Sequence, residues 1–77
     1  MSIIPVLKSK ELLKILLRAG FKITRQSGSH IRLIFLRDPT RQTTIPIHNA
    51  DIPRSLLSSI LKQAKISVSD LLKLLNK

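Results

Sequence analysis

Phe21-Lys22-Ile23-Thr24-Arg25-Gln26-Ser27-Gly28-Ser29-His30-Ile31-Arg32-Leu33-Ile34-Phe35 is the stretch that decides the fold. From Phe21 to Gln26 apolar and polar residues alternate with period two, the pattern of a half-buried strand. Ser27-Gly28 supplies a turn. A second strand is then expected over about residues 29 to 37, with Ile31, Leu33 and Phe35 on one face. His30 and Arg32 begin the opposite face, which goes on to carry Ile34 and Leu36. Two such strands across a short glycine turn make an antiparallel hairpin.

The flanks extend this hairpin into a small mixed fold. Upstream, Ser9 has a hydroxyl suited to capping a helix, and Glu11 suits the positive end of its dipole. Leu12, Leu13, Leu16 and Leu17 form an apolar stripe, and Gly20 suits a left-handed stop, so a helix is predicted over about residues 10 to 19. Downstream, Asp38-Pro39-Thr40-Arg41 has turn chemistry. Thr43-Thr44-Ile45-Pro46-Ile47-His48 reads as a third strand, with Pro46 at an edge or an end because it has no amide proton to donate. Asp51 and Pro53 suit the start of another helix, whose apolar face is Leu56, Leu57, Ile60, Leu61 and Ala64. Ser67 and Asp70 form a capping pair for a short last helix with Val68, Leu71, Leu72 and Leu75; the leucine-rich end, Leu71-Leu72 with Leu74-Leu75, reads as core packing beneath the first helix, the alternative being that Leu74 protrudes as a contact for a partner or second copy. The expected class is α+β in the order α-β-β-β-α-α. A three-stranded antiparallel sheet carries its helices on one face and leaves the other for a partner. Residues 1–77 are expected to make one domain, with its core over about residues 9 to 75, since a chain this short does not divide.

Charge narrows the partner. Fourteen Lys and Arg stand against four Asp and Glu, a net charge of +10, which attracts polyanions. No apolar run approaches the roughly 18 residues of a membrane span. The segment Met1 to Leu7 has no basic leader and is interrupted by Pro5, so it does not read as a signal peptide, and a cytoplasmic location is expected. Without cysteine there is neither a disulfide nor a thiolate metal site. There is no Trp or Tyr, and both Phe residues fall at core-phase strand positions, so base stacking on exposed aromatic rings is not expected. Recognition of RNA would then rest on phosphate and 2′-hydroxyl contacts. Lys10, Lys14 and Arg18 recur at helical spacing and form one basic stripe, read either as part of such a surface or as an ordinary solvated face. Arg37, Arg41, Arg54, Lys62 and Lys65 extend the positive charge without a defined orientation.

Four features in order give the chain a family likeness: Leu16 through Ala19-Gly20-Phe21, the Gly28-Ser29-His30 turn, Ile45-Pro46-Ile47-His48, and Ile60-Leu61-Lys62-Gln63-Ala64-Lys65-Ile66-Ser67. In these, and in their spacing across most of residues 9 to 72, the sequence resembles the HicA (YcfA-like) toxins of toxin–antitoxin pairs. It departs from them at Arg54-Ser55, where members often have a glycine. The resemblance implies a double-stranded-RNA-binding-like fold and a metal-independent ribonuclease, an mRNA interferase, that needs no cofactor. It also implies a HicB-type antitoxin as partner, and it maps the catalytic histidine onto His30; the oligomeric state is left open, with a homo-oligomer admitted only through the antitoxin complex.

The chemistry is consistent with that role. A base that takes the proton from a 2′-hydroxyl lets the oxygen attack the adjacent phosphate. Imidazole is neutral and still basic near pH 7. Gly28 lets a backbone approach a phosphate closely, Ser29 offers a hydroxyl and an amide, and Arg25 and Arg32 can neutralise phosphate charge. Spacing alone reads His30 as a polar residue on an exposed strand; the resemblance is what makes it a site. His48 either ends the third strand and satisfies a loop carbonyl, or protonates the leaving 5′-oxygen. Neither histidine has an Asp, Glu or Cys at ligand spacing. A non-catalytic RNA-binding module of the same fold, and a basic surface that docks an acidic protein, are the competing readings.

Overall fold

The computed structural model describes residues 4–76. The first part of the Met1–Leu7 segment discussed above, and the last residue of the chain, lie outside them. The elements are α1 (Ser9–Ala19), β1 (Phe21–Ser27), β2 (His30–Phe35), β3 (Asp38–Pro46), α2 (Arg54–Ala64) and α3 (Val68–Leu75). The order is α-β-β-β-α-α, as the alternation and helical stripes predict. The strands form one antiparallel sheet in the order β1-β2-β3.

The helices cover one sheet face. Ile31, Leu33 and Ile45 are buried there with Leu12, Ile15 and Leu16 of α1, Leu57, Ile60, Leu61 and Ala64 of α2, and Leu71 of α3. The α1 stripe is rotated from the predicted one, because Ile15 is buried while Leu17 lies at the surface. In α3, Leu74 packs against the core and Leu72 is exposed. Gly20 ends α1 in the left-handed conformation, and Ser67 caps α3 by accepting the Asp70 amide at 3.0 Å. The Ser9 hydroxyl does not cap α1. It is buried and donates to the Pro46 carbonyl at 2.7 Å, tying the helix to the end of β3. The Lys8 amide instead donates to Glu11 Oε1 at 3.0 Å. Asp51 likewise sits short of α2, in an isolated bridge with Lys8, and Pro53 takes the N-cap position.

β3 starts at Asp38 rather than Thr43, and the connection is only Leu36-Arg37. The turn chemistry of Asp38-Pro39-Thr40-Arg41 is present, but it builds a bulge inside the strand. Ile34 pairs with Gln42 and the next residue, Phe35, with Asp38, so the three residues between them have no partner on β2. The Asp38 carboxylate accepts from the Thr40 amide at 3.1 Å and from its hydroxyl at 2.6 Å. Those two bonds, hydroxyl foremost, hold the Asp38 carboxyl below the ordinary carboxylate range. Neither Leu36 nor Arg37 has positive φ, so this hairpin lacks the primed turn that matches strand twist, and a bulge restores the twist.

The bulge turns Arg41 inward. Its Nε donates to the Ala64 carbonyl at 2.8 Å and Nη2 to that of Lys65 at 3.3 Å, which satisfies the C-terminal end of α2. The guanidinium also lies 4.3 Å from the Phe35 ring centre and 5.8 Å from that of Phe21, and the rings are 5.1 Å apart. Arg41 is therefore a structural cation.

Two glycines shape the sheet ends. Gly20 has φ +111° and a Cβ there would meet Phe35 at 3.0 Å, whereas Gly28 has φ +58° and open space around it. Gly28→Ala is expected to cost about 1 kcal/mol from backbone strain alone. Gly20→Ala should cost more, because strain and the Phe35 clash combine. Urea unfolding midpoints of the two variants check the ranking.

Candidate active site on the open sheet face

Burial of Ile31 and Leu33 turns their neighbours His30, Arg32 and Ile34 to the uncovered face of β2. His30 is exposed at the first residue of the strand. It follows a two-residue turn, Gly28-Ser29, closed by the Ser27–His30 pair. Gly28 takes the positive-φ position that a type II′ hairpin reserves for glycine. On its other side His30 pairs with Pro46. One further bond, from the Ile47 amide to the Ser29 carbonyl at 2.6 Å, fastens the turn to the chain leaving β3. Together with the Ser9–Pro46 bond, these links brace the backbone around His30 from both sides.

Arg25 reaches the same face through an irregularity. Strict alternation from Phe21 would put Arg25 in phase with Phe21 and Ile23, toward the helices. The register shifts between Ile23 and Arg25, leaving Thr24 without a partner. Past this bulge Arg25 pairs directly with Arg32. Both are exposed. The open face thus has three rows of directly paired residues: Ser27, His30 and Pro46; then Arg25, Arg32 and Thr44; then Lys22, Ile34 and Gln42. Arg32 donates through Nη2 to Gln42 Oε1, and Gln42 Nε2 donates to the Pro39 carbonyl at 2.7 Å.

Gly28, Ser29, His30, Arg32 and Arg25 are therefore brought together. His48 is exposed just beyond β3, where it lines a largely apolar cleft of about 200 Å³ with Ser9, Pro46 and Leu56 among others. Lys10, Lys14 and Arg18 are exposed on α1, in the helical layer behind the sheet, and Lys14 and Arg18 line a separate cleft with Leu74 and Leu75 of α3. The stripe and His30 thus lie on different layers of the molecule. Ser27, Gln42 and Thr44 join the open face without having been singled out from the sequence. Ser27 and Thr44 follow from pairing with His30 and Arg32 once the register is known. Gln42 follows from the same alternation, but it lies one residue before the third strand as read from the sequence, which begins at Thr43.

Chemically this face combines an exposed imidazole, a hydroxyl opposite it, and two guanidinium groups in the next row. No group of three or more His, Cys, Asp or Glu that could hold a metal ion occurs among the described residues. No helix among them is long and apolar enough to cross a membrane. The family model described as HicA toxin of bacterial toxin-antitoxin matches residues 9–66. No curated protein matches the chain.

Like charges placed directly across a sheet repel, so the Arg25–Arg32 pair costs stability in the absence of an anion. Arg25→Thr, which removes the repulsion and favours a strand, is expected to stabilise the fold by about 0.2 to 1 kcal/mol. A higher thermal midpoint at low salt, with the gain shrinking at high salt, is the expected observation.

Proposed function

The chain belongs to the HicA toxin family, and from that premise we propose that this toxin of a toxin–antitoxin pair is a metal-independent endoribonuclease that cuts messenger RNA on its open sheet face. The observation that carries the reading is the position of His30: exposed, next to a glycine turn, and one row from two arginines. The neutral His30 imidazole takes the proton of a 2′-hydroxyl. The 2′-oxygen attacks the adjacent phosphorus, and the bond to the 5′-oxygen of the next nucleotide breaks. That oxygen leaves with a proton from His48 or from water. The strand is cut, with a 2′,3′-cyclic phosphate on one fragment and a 5′-hydroxyl on the other.

Gly28 leaves room for the sugar–phosphate backbone beside the base, and the Ser29 amide and hydroxyl are available to the phosphate oxygens. The helical stripe of Lys10, Lys14 and Arg18 acts at longer range, raising the local concentration of a polyanion without touching the reacting bond. A HicB-type antitoxin would neutralise the toxin by covering the open face, and the pair would work in the cytoplasm.

His30→Ala is expected to abolish cleavage in EDTA, by at least about 100-fold, with the unfolding midpoint unchanged because the side chain is exposed. Intact RNA with wild-type protein, together with equal binding by His30→Ala, would instead identify a non-catalytic RNA-binding module. Fragment yields on labelled RNA, with binding measured in parallel, distinguish the two.

A further inference from the structure

The rows of the open face have a direction and a pitch. The His30 row and the Arg25–Arg32 row are two residues apart along each strand, or about 6.7 Å. That is comparable to the separation of neighbouring phosphates along a polynucleotide strand. The His30 row and the Arg25–Arg32 row are thus placed for two different phosphates rather than for one.

The hydrogen bonds support the same division. Arg32 donates to Gln42, which belongs to the third row, so its guanidinium leans away from the His30 row. Gln42 is held in place by its own bond to the Pro39 carbonyl. At the β3 edge, reaching from Arg32 and Gln42 on the open face round to Thr43 and Gln63 of α2, is a cleft of about 200 Å³ that Thr44 also lines. Within it the Thr43 hydroxyl donates to Gln63 Oε1 at 2.9 Å. A guanidinium, amides and hydroxyls line the cleft, with no carboxylate among them, and that is a lining suited to an anion. Arg25 lies outside the cleft, on β1, but its backbone pairs with Arg32, so it adds a second positive charge to the row, and the mutual repulsion of the pair falls when an anion binds there.

We infer that Arg25 and Arg32, with Gln42 and Thr44, form a second phosphate subsite, which holds the phosphodiester next to the one cut at His30. This rests on the endoribonuclease reading only in taking His30 to mark the scissile phosphate. The substrate it implies is a single strand laid along β2, with at least one phosphate beyond the bond that is cut.

The test uses a deoxyribonucleotide strand with one ribonucleotide, so that only one bond can be cut. Two further versions have the phosphate on the 5′ or the 3′ side of that bond replaced by a neutral methylphosphonate. Wild type is expected to cut one of the two with kcat/KM about ten-fold lower than the unmodified strand, the size of one charge-assisted contact. In Arg25→Gln/Arg32→Gln that ratio should shrink to within about two-fold, because the two changes remove the same interaction. An equal loss by the double variant on all three strands would overturn the inference, placing the arginines at the scissile phosphate. Indifference of wild type to both replacements would overturn it as well.

If wild type cuts nothing, the endoribonuclease reading falls and the subsite is judged by binding to an all-deoxy strand. The double variant should then bind about ten-fold more weakly, with the salt slope reduced by about one to two. Unchanged affinity and slope would overturn the subsite. A thermal midpoint at or above that of wild type shows that the double variant is folded.

Discussion

Burial of Ile31 and Leu33 against the helices is the constraint on which the rest of the site depends. Each contributes about 1.5 to 3 kcal/mol when removed from water. A one-residue slip of β2 would expose both and press His30 and Arg32 into the core, where an unpaired cation is far more costly still. The register of β2 is therefore strongly specified, and the outward placement of His30 and Arg32 follows from it. The candidate site is the other side of the core.

Two bulges adapt this rigid strand to its neighbours. The one at Thr24 turns Arg25 from the helical face to the open one, opposite Arg32. The one after Asp38 contains Arg41, which reaches the end of α2 and the Phe21–Phe35 pair, and its Pro39 carbonyl accepts from Gln42, the residue that meets Arg32. Of two arginines on neighbouring strands, Arg41 is used for stability and Arg32 stays exposed on the open face. The net charge of +10 does not separate them; hydrogen-bond geometry does.

Much of this was legible in the sequence. Period-two alternation around Gly28 marks the β1–β2 hairpin and puts His30 outward, and Gly20 and Ser67 announce helix ends because their chemistry is local. What was not legible depends on contacts distant along the chain. Ser9 has every local feature of a cap, yet its hydroxyl goes to the Pro46 carbonyl, 37 residues away in the sequence. Asp38-Pro39-Thr40-Arg41 has the residues of a loop, and the same Asp38–Thr40 bonds serve equally well within a strand. Strict alternation misplaces Arg25, since a bulge carries no signature as plain as a glycine turn. His30, Arg25 and Arg32 stood out one by one, but Ser27, Gln42, Thr44 and the rows they complete emerge only from the register.

Attack by a 2′-hydroxyl on the open face, as proposed, is recorded in the ends of the cut strand. Purified protein is incubated with RNA in EDTA, and the termini of the fragments are identified by mass. The expected products are a 2′,3′-cyclic phosphate on the upstream fragment and a 5′-hydroxyl on the downstream one. A 3′-hydroxyl paired with a 5′-phosphate would mean that water attacked instead, and would contradict the role given to His30.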